Sequence, residues 1–398
     1  MRRETFRCAL VLSSLLPGCG ARTGLETDAR EDEPRPTPAM DAGSRDGGSS
    51  DAASSATCSA GAPIDIVSDP DALAWPAVTA ADDPHREVYR AFLAFTRGGT
   101  DGTLMATFLS VDGRTDGAVW TVGRGVGGTA AYDVNGPDFL VLWQRGATLV
   151  SSPYEAVSGL PYDELVVGAR ATTTMRPSRS RNYFTAYGAN AAEGAFLLFS
   201  TPRGEWTVPV DGVDPSVATV ALMPVTFLAA TIRADAVELT WFEVASRVSG
   251  PRVVAERRYD VSGPPTAARL VDGVPDGALV TVADGPDGAV VQETLLLGDA
   301  SQTFLHPGAS AIDVWGAYDE TTGWLAAAAS VEQAGVSRVF FHGWRGRESV
   351  TLELTGPSGE RVRPHPSVAR TDDGTFLVAW EGIDAAGVIR GVIVRCSE

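Results

Sequence analysis

Three groups of residues carry the chemistry open to this chain. The most concentrated is Arg176-Pro177-Ser178-Arg179-Ser180-Arg181-Asn182, a basic spot in an otherwise acidic protein. Guanidinium forks match carboxylates, sulfates and phosphates, so Arg176, Arg179 and Arg181 are candidates for an anion or acidic-glycan contact. The alternative is a solvated loop that balances acidic neighbours. A second group is Asp284-Gly285-Pro286-Asp287-Gly288, where Asp284 and Asp287 are weak candidates for a cation. Calcium loops cluster more oxygen ligands than this, and one or two Asp beside Gly is ordinary turn composition. The third group is His85, His306, His342 and His365, which are dispersed and show no metal-ligand spacing. No firm metal site follows. With no Gly-rich phosphate loop, nucleophile elbow or zinc motif, no cofactor is expected either.

The elements that must position these residues are short strands. An apolar segment recurs seven times, most clearly as Phe376-Leu377-Val378-Ala379-Trp380. Other copies start at Phe92, Phe139, Tyr183, Phe227, Ala278 and Trp324, so the period lies near that of a β-propeller blade. The fourth repeat shows the unit most fully. Pro215–Ala218 reads as an inner strand, Thr226–Ile232 as the second, Ala236–Val244 as the third and Arg252–Tyr259 as a polar outer strand. The seventh opens the same way, with Pro366–Ala369, Thr375–Trp380 and Val388–Val394, and lacks an outer strand. The run around Ile64 (Ala62–Val67) is the candidate to complete it, lying antiparallel to Val388–Val394 and removing exposed edges. The expectation is an all-β, seven-bladed propeller over 58–398, closed by an N-terminal strand; six or eight blades stay open because the fifth and sixth repeats are degenerate. Aromatics flanking each second strand read as packing between blades.

Cysteines and the N-terminus give the setting. Cys58 and Cys396 flank the two strands just paired and fall at the same end, so they read as a disulfide in an oxidising compartment, with two unrelated thiols as the alternative. Arg2, Arg3 and Arg7 precede a short apolar run from Cys8 to Leu16, as in a signal peptide over 1–18. Leu16-Pro17-Gly18-Cys19 resembles the lipobox of bacterial lipoproteins. That resemblance implies cleavage before Cys19, acylation of it and, because Gly20 follows, the outer membrane of a Gram-negative bacterium. An ordinary secretory signal with a chance Cys is the alternative. Between 19 and 57 large apolar residues nearly vanish, which predicts a disordered acidic tether spanning about 35 Å.

The Pro-x-Val-Ala … Phe-Leu-Val-Ala-Trp pattern resembles repeats of secreted bacterial propellers, a class with many functions. Formal charge is −18 and every basic residue is Arg, which argues against nucleic acid. Sialidases and related glycosidases are propeller enzymes, and their Asp-box turn is the motif to seek. Ser110-Val111-Asp112-Gly113 followed by Trp120 comes nearest, with the wrong spacing. A sialidase-like site also needs an Arg cluster, a Tyr nucleophile and an acid, and no local motif marks them. The expected function is therefore a monomeric, lipid-anchored binding or scaffold module for a protein or glycan, without catalysis; a propeller glycosidase is the alternative.

Overall fold

A gradient from buried inner strands to exposed outer ones organises this chain. The computed structural model describes residues 57–397, except 81–90, 99–101, 134–137, 146–147, 156–164, 170–171, 178–183, 191–193, 202–203, 210–212, 220–225, 244–249, 272–273, 275–276, 286–289, 356–364 and 384–386. The signal segment, Cys19, the acidic tether, His85, Arg179, Arg181 and Asp287 lie outside the described residues.

Every regular element among the described residues is a strand. The first two are β1 (Cys58–Ala60) and β2 (Ile64–Asp69). The first sheet holds β3 (Leu73–Ala80), β4 (Ala91–Arg97), β5 (Thr103–Leu109) and β6 (Trp120–Arg124). The second holds β7 (Val126–Asp133), β8 (Asp138–Arg145), β9 (Thr148–Glu155) and β10 (Leu165–Ala169). In the third are β11 (Thr172–Pro177), β12 (Phe184–Asn190), β13 (Gly194–Thr201) and β14 (Gly204–Pro209). The fourth comprises β15 (Val213–Thr219), β16 (Thr226–Ile232), β17 (Ala236–Glu243) and β18 (Arg252–Asp260). Next come β19 (Pro265–Val271), β20 (Ala278–Asp284), β21 (Val290–Leu297) and β22 (Ala300–Pro307). The sixth sheet is β23 (Ala309–Tyr318), β24 (Leu325–Gln333), β25 (Val336–Arg345) and β26 (Glu348–Glu353). The last contains β27 (Ser367–Asp372), β28 (Thr375–Ile383) and β29 (Gly387–Cys396), with β1 and β2 both paired to β29.

Within each sheet consecutive strands run antiparallel. The first strand of each sheet packs on the first strand of the next, from β3 on β7 through to β23 on β27, and β27 packs on β3. The chain is an all-β propeller. Each first strand carries one bulge, which bends it and raises its twist. Second strands are sandwiched between neighbouring sheets, so they read as unbroken apolar runs: Ala91 to Thr96 in β4 and Leu325 to Val331 in β24 are buried throughout. Outer strands are the opposite; β18 is exposed along most of its length.

The core is accordingly a series of clusters, each shared by two neighbouring sheets. Phe92 and Phe139 stack across the first and second sheets with centroids 5.1 Å apart. Both are fully buried, and burial of such a ring contributes about 1.5–3 kcal/mol. Phe341 and Phe376 meet across the sixth and seventh at 5.7 Å. The expectation that these aromatics pack between sheets holds. Close approach also needs small residues: a Cβ on Gly316 of β23 would lie 2.5 Å from Val271 Cγ2.

At the chain ends, β2 pairs with β29 from Ile64 opposite Gly391 to Asp69 opposite Gly387. The strand thus starts and ends two residues later than the sequence suggested, and its register shifts at a bulge between Asp65 and Val67. β1 adds a short pairing in which Cys58 stands directly opposite Cys396, and the two form a disulfide across 338 positions.

Candidate functional site

Two clusters of functional side chains stand out, one on the inner strands and one between sheets. The first begins with backbone strain. Trp75 sits in the bulge of β3 at φ 53°, and His365 just ahead of β27 at φ 149°. Both precede a proline, Pro76 and Pro366. Bulky residues rarely adopt such angles, which cost about 1–3 kcal/mol each and gather at ligand sites. The two rings meet edge to face, 5.9 Å apart at 67°. His365 Nδ1 lies 2.8 Å from Asp313 Oδ2 on β23. Asp313 Oδ1 accepts a hydrogen bond from Val314 N at 3.0 Å and lies 3.9 Å from Arg269 NH2 on β19. One line of contacts therefore runs from the fifth sheet through the sixth and seventh to the first. Asp313 is mostly buried, whereas half of the His365 side chain is exposed. The carboxylate, held between imidazole and guanidinium, fixes ring orientation, so the exposed His365 ring and the half-buried Trp75 ring form a preset surface.

The second cluster comprises Glu293 on β21, His306 on β22 and His342 on β25. Strand alternation puts Val291, Glu293 and Leu295 on one buried face of β21. His306 reaches that face from the neighbouring strand, and His342 reaches it from the next sheet. Glu293 Oε2 lies 3.1 Å from His306 Nε2 and 2.9 Å from His342 Nδ1. All three side chains are buried, and Glu293 Oε1 has no hydrogen-bond partner. Burial alone would push the Glu293 carboxyl up. The charge of His342 and the hydrogen bonds from both imidazoles outweigh it and hold the group down at about 2. Phe304 stacks on the His342 ring at 4.3 Å, nearly coplanar. A cavity of about 180 Å³ borders the cluster, lined by His306, His342, Gln333 and Thr351 among apolar neighbours. Two imidazole nitrogens and a carboxylate within 4.8 Å form a donor set that suits a metal ion.

The expectation that the histidines are dispersed is corrected here. His306 and His342 converge on Glu293, because neighbouring sheets juxtapose residues that no local spacing connects. His365 belongs to the inner-strand line. The weaker candidates fare differently. Asp284 is exposed at the end of β20, where its N–H donates to Pro264 O, and it belongs to no cluster of metal-binding groups among the described residues. Arg176 lies on β11, and the remainder of the Arg-rich segment, 178–183, lies outside the described residues. The Asp-box-like segment is a turn after β5: the Ser110 hydroxyl bonds to Asp112 and, at 3.0 Å, to Arg114 O. Gly113 faces Leu377 and Ile64 there, so the turn packs the first sheet on the last.

The sequence matches no protein-family model and no curated protein. Solved structures resemble it weakly. The Cps50 (Swd1) β-propeller domain from Myceliophteria thermophila is 13% identical, with a TM-score of 0.49 over 82% of this chain and 99% of that one. A Dyadobacter fermentans protein of unknown function is 12% identical, with a TM-score of 0.43 over 85% of this chain and 99% of that one. The Dos1 propeller is 8% identical, with a TM-score of 0.46 over 85% and 95%. At these scores the fold assignment rests on the sheet order itself.

Proposed function

We propose that this chain is a seven-bladed propeller, closed by its N-terminal strand and anchored outside the cytoplasm through a lipid on Cys19. On this reading it binds a glycan segment and does no chemistry on it. The carrying observation is the strained pair Trp75 and His365, joined to Asp313 and Arg269 across four sheets. Aromatic faces beside a fixed carboxylate and a guanidinium suit a ring with apolar faces and hydroxyl edges. Preset orientation lowers the ordering cost of binding. Most glycosidases use two carboxyl groups about 5–10 Å apart, and a sialidase-like one a Tyr beside an acid. In this line Asp313 is the single carboxylate among the described residues, and no Tyr belongs to the line as traced.

The test is a glycan array with the full chain made soluble by Cys19→Ala, followed by titration calorimetry on any hit. Binding should weaken at least tenfold in Asp313→Asn. Turnover of any glycoside in a chromogenic panel would replace this reading with the enzymatic one. If no glycan on the array is bound, the scaffold survives and the glycan assignment falls.

A further inference from the structure

The Glu293 cluster is independent of the inner-strand line and takes no part in the proposed ligand contact. As hydrogen bonds alone it is incomplete. Oε2 takes both imidazoles while the fully buried Oε1 has no donor, and an unsatisfied buried acceptor costs about 1–3 kcal/mol. A divalent cation would complete the cluster, giving Oε1 an electrophile through bidentate or shifted coordination while Oε2 and the imidazoles supply the other bonds.

We propose that Glu293, His306 and His342 bind one divalent first-row transition-metal ion of the zinc class, between the fifth and sixth sheets. The spacing fits. Bonds of about 2.0–2.1 Å at tetrahedral angles put ligand atoms about 3.3 Å apart. The observed 3.1 and 2.9 Å need only a small spread to admit the ion. Donor chemistry fits as well, because imidazole favours zinc, copper, iron and nickel over calcium and magnesium. Stacking by Phe304 holds the His342 ring in place. Three protein ligands leave a fourth position, and the adjoining cavity has room there for water or a small ligand. The ion would join β21 and β22 of one sheet to β25 of the next.

The experiment uses the untagged full chain carrying Cys19→Ala, treated with chelator and then titrated with zinc and, separately, cobalt(II). One equivalent should bind, and cobalt should give the visible d–d absorption of a nitrogen- and oxygen-ligated tetrahedral site. Glu293→Gln and His306→Gln should each weaken binding by more than about a hundredfold, the upper end of what loss of even an outer partner costs. His306 lies at the cavity edge, so His306→Gln serves if Glu293→Gln does not fold. Two results overturn the proposal: folded wild-type protein that takes up no ion from micromolar zinc, or binding that persists in a folded variant.

Discussion

Asp319 Oδ2 accepts a hydrogen bond from Gly374 N at 2.6 Å, so one buried carboxylate joins the first turn of the sixth sheet to the first turn of the seventh. The same group pairs with Arg370 Nε at 3.0 Å and accepts from Thr321 N at 3.0 Å and from the Thr322 hydroxyl. Asp319 is fully buried, yet four donors surround it. Its role is to lock two sheets in register at the end away from the Trp75–His365 pair.

Asp319→Ala should therefore destabilise by about 1–3 kcal/mol, because it removes the acceptor of the buried Gly374 N–H and leaves Arg370 with Asp373 as its remaining carboxylate partner. Asp319→Asn keeps the shape and part of the hydrogen bonding and should cost less. Urea melts of the two variants give both figures. A loss under about 1 kcal/mol for the Ala variant would show that the sheets are held together by their apolar clusters alone.

Reduction of Cys58–Cys396 should lower the melting temperature and leave the circular-dichroism spectrum unchanged at room temperature. The chain-entropy figure for a loop of this length is about 5–6 kcal/mol, an upper figure, since disulfides often deliver less than this model gives. Non-reduced peptide mapping should recover the two cysteines linked.

Trp75→Gly separates strain from function. Glycine relieves φ 53° but adds unfolded-chain entropy and loses the ring contact with His365. These terms nearly cancel, so stability should move by no more than about 1 kcal/mol. Ligand binding should fall at least tenfold. A large stability loss with binding intact would make Trp75 a packing residue.

Cys19→Ala should move the protein from the membrane fraction to the soluble one on fractionation of the producing cells. Continued membrane association of that variant would place the anchor elsewhere.

Much of the architecture was legible because apolar runs here are bounded by Gly, Pro and Asp. Ala236–Val244 was expected as a strand and Ala236–Glu243 is observed; Thr226–Ile232 matches at both ends. The cysteine pairing followed from their places beside strands that must meet. The Glu293 cluster was hidden because its members lie 13 and 49 positions apart on separate strands, beyond any motif. One signal existed: Glu293 alternates with Val291 and Leu295, which puts an acid on an apolar face. Nothing in Trp75-Pro76 or His365-Pro366 announces a positive φ, since proline restricts the preceding residue toward extended angles instead.

The arrangement at Cys58 also decides how the domain bears a mechanical load. A pull on the chain ahead of Thr57 reaches β1 first, and a three-residue strand would peel away under little force. Its first residue is covalently joined to Cys396, and Thr57 and Ser397 are paired beside it through Ser397 N to Thr57 O at 2.9 Å. Tension therefore passes directly into β29, which is held by β28 on one side and by β1 and β2 on the other. With the bond oxidised, force loads the last sheet in its middle; with it reduced, the same force unzips the sheet from its edge.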